Sequence, residues 1–333
     1  MTETSTQKDV ASTTADASDI YDRQIRLWGA DAQSKISSAR ILYVYCTGLN
    51  MEVMKNLVLA GVQPAILDGR PYPDAVMHTP SSFFPTDERS SCENGNLEKM
   101  SVAKAIQNHV HELNPLLEKC EVNEECELSK IPDEYFFKFD VVLCSTKLAG
   151  ITQCGRIARA VTESGGKFIA SDVFGLAGVA VLDLGRKHQF RREIGKNKLS
   201  ECESMEYPPF KQVFDRTLGE YVPCNRWNKK PPILWALYKS FLKCDNFEKV
   251  RSFLRNEGVD EGYIGNDERV AQLYSIRDAE VSPVCAVLGG VLGQEVIKAL
   301  SGKGEPARNV LLFDGGMGFD EAGGGACRAV FLQ

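Results

Sequence analysis

Residues 41–50 read ILYVYCTGLN, an apolar run that predicts a buried strand leading directly into a helix. In the helical stretch that follows, NMEVMKNLVLAG, the side chains of Met54, Leu57 and Val58 share one face, and a glycine stands where helices commonly end. A second apolar run, PAILD, comes next. Residues 41–68 therefore predict a strand–helix–strand unit, the building block of a parallel sheet.

The turn inside this unit lacks the glycines that a phosphate-binding turn normally carries. Nucleotide-binding folds place several glycines there so that backbone N–H groups can approach the phosphates at the start of the helix. In this chain the turn consists of Tyr45, Cys46, Thr47, Gly48, Leu49 and Asn50. The frame is that of a phosphate site, but its side chains would obstruct a phosphate.

Strand and helix patterns continue to alternate along the chain. LEKMSVAKAIQNHVHELNP predicts a helix beginning near Leu97, and KCEVNEECEL and FDVVLCS predict strands. ITQCGRIARAVTESGG predicts a helix, and KFIASDVFGLAGVAVLDLG predicts two strands around Gly175 and Gly178. After a further helix in PPILWALYKSFLK, the same style returns with a helix in SPVCAVLGGVLGQEVIKALSG and a closing strand in NVLLFDGG.

Composition divides the chain into four segments. Residues 1–18 are rich in Thr, Ser, Ala and Asp and predict a disordered leader. Residues 19–184 form the first part of an α/β domain, residues 185–280 an insert with a small helical region, and residues 281–333 the C-terminal part of the domain.

Charge and cysteine usage exclude several classes of protein. The net charge of −6 over 333 residues gives no support to nucleic acid as the main partner. The eleven cysteines include no C-x-x-C pair, which argues against a zinc site built on such pairs. The polar N-terminus has no apolar signal-peptide core, so free thiols in a reducing compartment are expected. The apolar run near residue 290 is interrupted by Gln294, Glu295 and Lys298, so no membrane span is expected.

Several strings occur in an order that resembles a known family. YDRQIRLWG, KNLVLAGV, SDVFGLAG, SPVCAVLGGVLGQEVIKALSG and FDG together are similar to the adenylation-domain family of ubiquitin-like-protein activating enzymes. The likeness covers residues ~20–184 and ~280–315, and the nine-residue string YDRQIRLWG is its most specific part. It implies an α/β, Rossmann-like adenylation fold of the ThiF/MoeB type, with a mostly parallel sheet and an inserted small helical region.

Within that family, the short chain without a long cysteine-bearing insertion is most similar to the smaller subunits of SUMO-activating enzymes. The resemblance implies a heterodimer with the larger catalytic subunit, which would bind ATP and Mg²⁺ and supply the thioester cysteine and the zinc site. SUMO would be reached through the complex, and this chain would hold no cofactor or metal itself. We therefore expect it in the nucleus and cytoplasm, with no nucleic-acid or membrane partner.

Compared with the family motif V-G-x-G-G-x-G, this chain has Tyr45, Thr47 and Asn50 at three of the glycine positions. Val102 stands where active members carry a lysine, and Lys147 lies near the position of a magnesium-binding aspartate. Asp68 is the one retained element and could hold a ribose. Together these differences predict a pocket that does not bind ATP productively.

Arg23, the first arginine of YDRQIRLWG, is the one candidate catalytic residue. The resemblance implies that it reaches across the dimer into the ATP site of the partner, where a planar fork of donors suits phosphate oxygens. The alternative is an ion pair with a nearby carboxylate in the neighbourhood of Asp22. For Arg26, a supporting role and a plain ion pair are equally expected, and Leu27 and Trp28 are expected to pack in the dimer or the core.

Glycine is unfavourable inside a helix, so three glycines in helix 283–300 indicate that another backbone comes close, either the sheet or the partner subunit. These residues are Gly289, Gly290 and Gly293. Packing in the core alone is an equally expected explanation of these glycines.

The cysteines and histidines predict no further chemistry. Cys46, Cys144 and Cys285 lie in apolar runs and are expected to be buried, while Cys202 and Cys224 lack a basic neighbour in sequence. The four histidines, His78, His109, His111 and His188, are expected to be solvated. The basic stretch RKHQFRREIGKNK at 186–198 is expected to be a solvated loop, with nuclear import or docking to an acidic partner surface as alternatives.

Other functions stay open at this point. One is a self-sufficient, homodimeric adenylyltransferase of the sulfur-carrier type, and another is the corresponding NEDD8-activating subunit. A Rossmann-type dinucleotide protein would need the missing turn glycines. A scaffold that only stabilises its partner differs from the main hypothesis in not needing Arg23.

Overall fold

The computed structural model describes residues 20–73, 100–195, 198–220, 231–316 and 326–330. The predicted disordered leader, His78 and Cys224 lie outside these residues. The strands, numbered in chain order, are β1 (Arg40–Val44), β2 (Gln63–Leu67), β3 (Glu121–Asn123), β4 (Val141–Cys144), β5 (Lys167–Phe174), β6 (Ala177–Asp183), β7 (His188–Phe190), β8 (Glu193–Gly195), β9 (Lys198–Leu199), β10 (Glu203–Met205), β11 (Val310–Asp314) and β12 (Ala326–Val330).

Ten α-helices fall within the described part of the chain. They are α1 (Asp22–Trp28), α2 (Ala30–Ser38), α3 (Gly48–Leu59), α4 (Val102–Leu113), α5 (Thr146–Glu163), α6 (Phe210–Asp215), α7 (Ile233–Lys243), α8 (Glu248–Asn256), α9 (Asp267–Ser275) and α10 (Ser282–Ser301).

Eight of the described strands form one sheet in the order β12-β11-β6-β5-β4-β1-β2-β3. The five strands from β5 to β3 are parallel, and β6, β11 and β12 continue the sheet in antiparallel pairing. The parallel part thus has the strand order 3-2-1-4-5 found in nucleotide-binding folds. In such folds the ligand crevice lies at the carboxyl ends of the two strands where the order reverses, here β1 and β4. Two small antiparallel pairs, β7–β10 and β8–β9, lie in the segment predicted as an insert.

The two faces of the sheet carry separate hydrophobic layers. Helices α3, α4 and α10 cover one face together with the apolar side chains of β1 that point toward them. Helices α5, α6 and α7 cover the other face, where they pack with α8 and α9 from the same insert. The helices of residues 185–280 therefore complete the second face of the sheet.

The strand–helix–strand prediction is confirmed by β1, α3 and β2, which pair in parallel register from Arg40 opposite Gln63. The strands predicted in FDVVLCS and around Gly175 and Gly178 are also present. The helix predicted to begin near Leu97 has Val102 as its first residue, because the hydroxyl of Ser101 caps it by accepting the N–H of Lys104. YDRQIRLWG, to which the sequence patterns assigned no element, forms α1.

Helix α10 packs tightly against α3. A Cβ at Gly289 would lie 2.7 Å from the Cβ of Glu52 on α3, whereas a Cβ at Gly290 would meet nothing within 4 Å. Another backbone therefore comes close to Gly289, as expected, but it belongs to helix α3 and not to the sheet. α10 is long and apolar enough to cross a membrane by length and composition alone, but over half of its most apolar window is buried here, as in the core helix of a soluble protein.

Candidate functional site

The turn between β1 and α3 keeps the backbone shape of a glycine turn although a tyrosine occupies it. Tyr45 has a φ of +63°, and it is the one non-glycine residue with positive φ in the described part of the chain. That left-handed conformation favours glycine, so a tyrosine is strained there. The side-chain amide of Asn50 holds this conformation in place by donating to the backbone carbonyl of Tyr45 over 2.9 Å.

The backbone N–H groups of this turn already have partners. The N–H of Cys46 donates to Asp68 over 2.8 Å, and that of Gly48 donates to Glu280 over 2.8 Å. The N–H of Asn50 donates to the hydroxyl of Thr47, which caps helix α3. These are groups that would bind phosphate in a nucleotide site, and here carboxylate and hydroxyl oxygens have taken them.

Glu280 provides the anion at the start of α3. It comes from the segment just before α10, 232 residues away from Gly48, and it is 9% exposed. Burial raises its pKa, while backbone hydrogen bonds from Gly48 and Leu49 and the charge of Lys147 oppose the rise. A carboxylate is favoured at a helix N-terminus by the helix dipole and the free N–H groups, so Glu280 occupies the position of an anionic ligand.

Asp68, the retained residue that could hold a ribose, is fully buried and bound to protein groups. Arg70 donates to both of its oxygens, over 2.9 Å to Oδ1 and 2.7 Å to Oδ2, and the N–H of Cys46 reaches Oδ2 as well. The pKa of Arg70 is raised because hydrogen bonding and charge attraction to Asp68 exceed the effect of burial. Asp68 thus forms a buried, bidentate ion pair that leaves no accessible oxygen for a sugar.

The ring of Tyr45 packs against the Arg70 side chain of this ion pair. The guanidinium of Arg70 lies 5.2 Å from the ring centre, and the phenol donates to the carbonyl of Cys126 over 3.2 Å. Burial, followed by the charge of Asp68, raises the pKa of Tyr45 to about 12. The ring is only 8% exposed and stays neutral at physiological pH.

Val102 and Lys147, at the two other positions where this chain departs from the family pattern, also make contacts within the protein. Val102 is fully buried at the start of α4, where its N–H donates to the carbonyl of Arg70. The ammonium of Lys147 donates to the carbonyls of Val173 and Arg277 and lies 4.0 Å from Asp278. The cavity beside Lys147 has a volume of about 20 Å³, enough for about one water molecule.

Next to Lys147, Asp172 collects several donors at the end of β5. It is 2% exposed and accepts from the hydroxyls of Ser145 and Tyr238, each over 2.5 Å, and from the N–H of Lys147. Burial raises its pKa, which the charge of Lys147 and these hydrogen bonds counteract. Both carboxylate oxygens therefore have partners within the protein, and their hydrogen bonds link β5 to α5 and α7.

Arg23 lies away from this turn. Helix α1 is held at the C-terminal end of α3, where Gln24 donates to the carbonyl of Leu59 and the ring of Tyr21 packs on Gly61. The turn is at the other end of this 12-residue helix, about 18 Å away. Arg23 is exposed and makes no ion pair or hydrogen bond with any described residue.

The neighbouring residues of α1 differ from Arg23. Arg26 forms an exposed ion pair with Asp22 over 2.9 Å, the simpler of the two roles expected for it. Trp28 packs against the core and donates to Gln33, as expected, whereas Leu27 is 71% exposed and contributes nothing to the core of this chain.

Sequence reasoning found the substituted glycines but missed Glu280, Arg70 and Asp172. Nothing in the local sequence links Glu280 to a turn 232 residues earlier, and only the packing of α10 on α3 brings it there. Arg70, two residues after Asp68, was the one signal available, since such a pair can form a local ion pair.

The expectation that His188 is solvated is wrong: its side chain is 6% exposed. Cys46, Cys144 and Cys285 are buried as predicted.

Comparison with curated proteins gives a consistent group of relatives. The chain is 31% identical over 335 residues to "SUMO-activating enzyme subunit 1" of Danio rerio, with 89% of this chain and 91% of the relative covered. It is 30% identical over 321 residues to "SUMO-activating enzyme subunit 1B-1" of Arabidopsis thaliana, with 89% and 92% covered. No protein-family model matches the chain.

Among solved structures, the chain resembles the crystal structure of selenomethionine PaaA. The two superpose with a TM-score of 0.56 at 9% sequence identity, covering all of this chain and 78% of that one. At this identity the likeness concerns the fold alone, and it agrees with the Rossmann-like adenylation architecture described above.

Proposed function

This chain belongs to the family of SUMO-activating enzyme subunit 1, and we propose from that premise that it is the pseudo-adenylation half of a heterodimeric SUMO-activating enzyme. In this role it binds a larger catalytic subunit, which holds ATP and Mg²⁺. There the C-terminal carboxylate of SUMO is joined to AMP and pyrophosphate is released. The chain is not active alone and supports the reaction from across the interface.

The observation that carries the proposal is the state of the turn after β1. The N–H groups of Cys46 and Gly48 already bind Asp68 and Glu280, and the Tyr45 ring packs on the guanidinium of Arg70. A phosphate would have to displace two buried carboxylates, one of them held by Arg70. The residues present do not fit ATP, so we derive no chemical step in this pocket.

Arg23 is the residue through which the chain would act in the partner's site. It is exposed, has no partner among the described residues, and is carried on a helix fixed by Tyr21, whose phenol accepts from Asn114 over 2.8 Å. An arginine with an uncommitted guanidinium on a fixed helix suits the stabilisation of charge on a triphosphate.

The test is Arg23→Ala in the complex with the intact larger subunit. We expect SUMO-dependent ATP–pyrophosphate exchange to fall about 100-fold, the size of effect typical of removing one preorganised donor in a transition state. Arg23→Lys keeps the charge but loses the fork, so it should recover only part of the rate.

Arg26→Ala is the matched control because it removes a positive charge from the same helix without touching Arg23. Its exchange rate should stay within about threefold of wild type, since an exposed ion pair such as Arg26–Asp22 contributes little. An undiminished rate in Arg23→Ala, with the heterodimer intact by gel filtration, would assign the chain a purely scaffolding role.

The self-sufficient adenylyltransferase is the second candidate, and the engaged turn disfavours it. Saturable binding of ATP and Mg²⁺ to the purified chain, measured by calorimetry, would restore that candidate. The NEDD8-activating alternative is tested by supplying NEDD8 instead of SUMO to the assembled heterodimer, where we expect no exchange.

A further inference from the structure

A second concave site lies between α2, β7 and the C-terminal end of α10. Its volume is about 660 Å³, within the range of small-molecule sites. Five of its lining residues, among them Lys187, His188 and Arg191, come from the basic stretch at 186–198, which the proposed function leaves unexplained. That stretch is therefore part of a cleft built from distant segments.

The cleft concentrates positive charge. Its lining includes one acidic residue, Asp31, and five cationic ones: Lys35, Lys167, Lys187, Arg191 and Lys303. Within the described residues, none of these five cations has a carboxylate within 4 Å. Elsewhere in the same protein, cations such as Arg70 and Arg156 are paired with aspartates. Of the five, Lys167 is influenced by a nearby carboxylate, that of Asp140. In a chain with a net charge of −6, the other four cations around one concavity indicate a missing anion.

The backbone holds these side chains in place. The N–H of Arg191 donates to the carbonyl of Gly302 over 2.9 Å, and the N–H of Gly304 returns a bond of 2.8 Å to the carbonyl of Arg191. Gly302 ends α10 in the left-handed conformation that this close approach requires. Arg191 and Lys303 are thereby fixed side by side on rigid elements.

Two of the lysines are oriented by hydrogen bonds to backbone carbonyls but have no carboxylate partner among the described residues. Lys35 donates to the carbonyl of Ser301 over 3.4 Å, and Lys303 donates to the carbonyl of Trp28. An ammonium group has three donors, so each keeps capacity for a ligand oxygen.

His188 forms a buried part of the cleft wall. It lines the cleft and its side chain is 6% exposed, yet its Nε2 is buried with no hydrogen-bond partner among the described residues. Its ring packs edge-on against Tyr207, which fixes its orientation. Since this nitrogen has almost no accessible surface, an occupant of the cleft would contact the cationic side chains and not His188 Nε2.

We propose that this cleft binds a compact, multiply phosphorylated small molecule. Lysine ammonium groups and the arginine fork are the groups that bind phosphate oxygens in proteins, and five of them can neutralise several charges at once. The volume of about 660 Å³ favours a small ligand, since a protein partner would need a contact of about 800 Å² on each side.

The test is calorimetric titration of the full-length chain alone with inorganic tripolyphosphate at 150 mM NaCl. We expect saturable binding with a stoichiometry of one, weakened at least tenfold in the double variant Lys187→Glu/Arg191→Glu. Both residues are exposed, so folding should be unaffected. Lys119→Glu, an exposed lysine outside the cleft, is the charge control and should bind like wild type.

The rate of Cys202 alkylation reports specifically on occupation of this cleft. Cys202 lines the cleft and is exposed, while the exposed Cys126 lies elsewhere. Tripolyphosphate should slow maleimide labelling of Cys202 at least threefold and leave Cys126 unchanged. Equal slowing at both thiols would mean general charge screening and would overturn the proposal.

Three further results would overturn it. They are absence of saturable binding up to millimolar tripolyphosphate, an equal loss of binding in Lys119→Glu, or preferential binding of an oligoglutamate peptide, which would make the cleft a protein-docking surface. The proposal is independent of the proposed function. Arg23→Ala should bind tripolyphosphate normally, and Lys187→Glu/Arg191→Glu should retain ATP–pyrophosphate exchange in the heterodimer.

Discussion

At the scale of single residues, the burial of His188 gives the protein a defined pH response. Burial, and secondarily the charge of Lys167, lowers the pKa of His188 to about 4 from its ordinary value of 6.5. Lys167 on β5 and the Tyr207 phenol are the titratable groups next to it. Because the folded-state pKa is lowered, stability is fully present above pH 6.5 and is lost as the pH falls toward 4.

His188→Asn should therefore flatten the acid side of the stability profile. At pH 5 the unfolded chain takes up the proton and the native chain does not, which costs the wild type about 2 kcal/mol relative to pH 7.5. Urea unfolding at both pH values measures this cost, and it should disappear in the variant. His111→Asn, at an exposed histidine, should keep the wild-type slope. Comparing variants cancels the opposite contribution of Asp183, whose burial raises its pKa to about 6.

At the scale of elements, the buried Lys239 connects α7 to the segments around it. Its side chain is fully buried, and its ammonium donates to Glu257 after α8 and to the carbonyl of Arg216 after α6. Glu257 also accepts the N–H of Leu218 over 2.9 Å. Burial lowers the pKa of Lys239, and the Glu257 carboxylate opposes that effect. The pair holds three helices of residues 185–280 in one arrangement.

Lys239→Met keeps the apolar stem but leaves Glu257 and the Arg216 carbonyl without their donor. We expect the free energy of unfolding to fall by about 3–5 kcal/mol, the usual cost of breaking a buried ion pair. Lys243→Met, on the exposed side of the same helix, should cost under about 1 kcal/mol. If Lys239→Met/Glu257→Gln is no more stable than Lys239→Met alone, the uncompensated Glu257 charge is not the cause of the loss. Urea melts at one pH compare all four proteins.

The elements also show what a sequence can predict and what it cannot. Met54, Leu57 and Val58 predicted the buried face of α3 because helical periodicity is local, and all three are fully buried. Glu280 could not be predicted as the anion at the start of that helix, since its position depends on how α10 packs. The basic stretch is mostly exposed, as expected, but it forms strands β7 and β8 instead of a loop, and β7 buries His188 and Phe190.

At the scale of the whole molecule, α3 separates two functions that an active site of this fold would combine. Its N-terminal end carries the turn filled by Glu280 and Tyr45, and its C-terminal end supports α1 and Arg23. The fold thus keeps the nucleotide frame as a structural element and exposes an arginine near the opposite end of α3, a helix about 18 Å long. Under the proposed function, Arg23 acts only where another surface is brought to it.

Leu27 indicates where that surface lies. It is four residues from Arg23 on α1, so the two side chains share one helix face, and 71% of Leu27 is exposed. Leu27→Asp should weaken the heterodimer at least tenfold in dilution experiments followed by light scattering, because it would place a carboxylate in the contact. Phe137→Asp, at a 49% exposed aromatic residue on a 3₁₀ segment, should leave assembly unchanged. If Leu27→Asp assembles like wild type, α1 does not face the partner, and Arg23 could not reach its ATP.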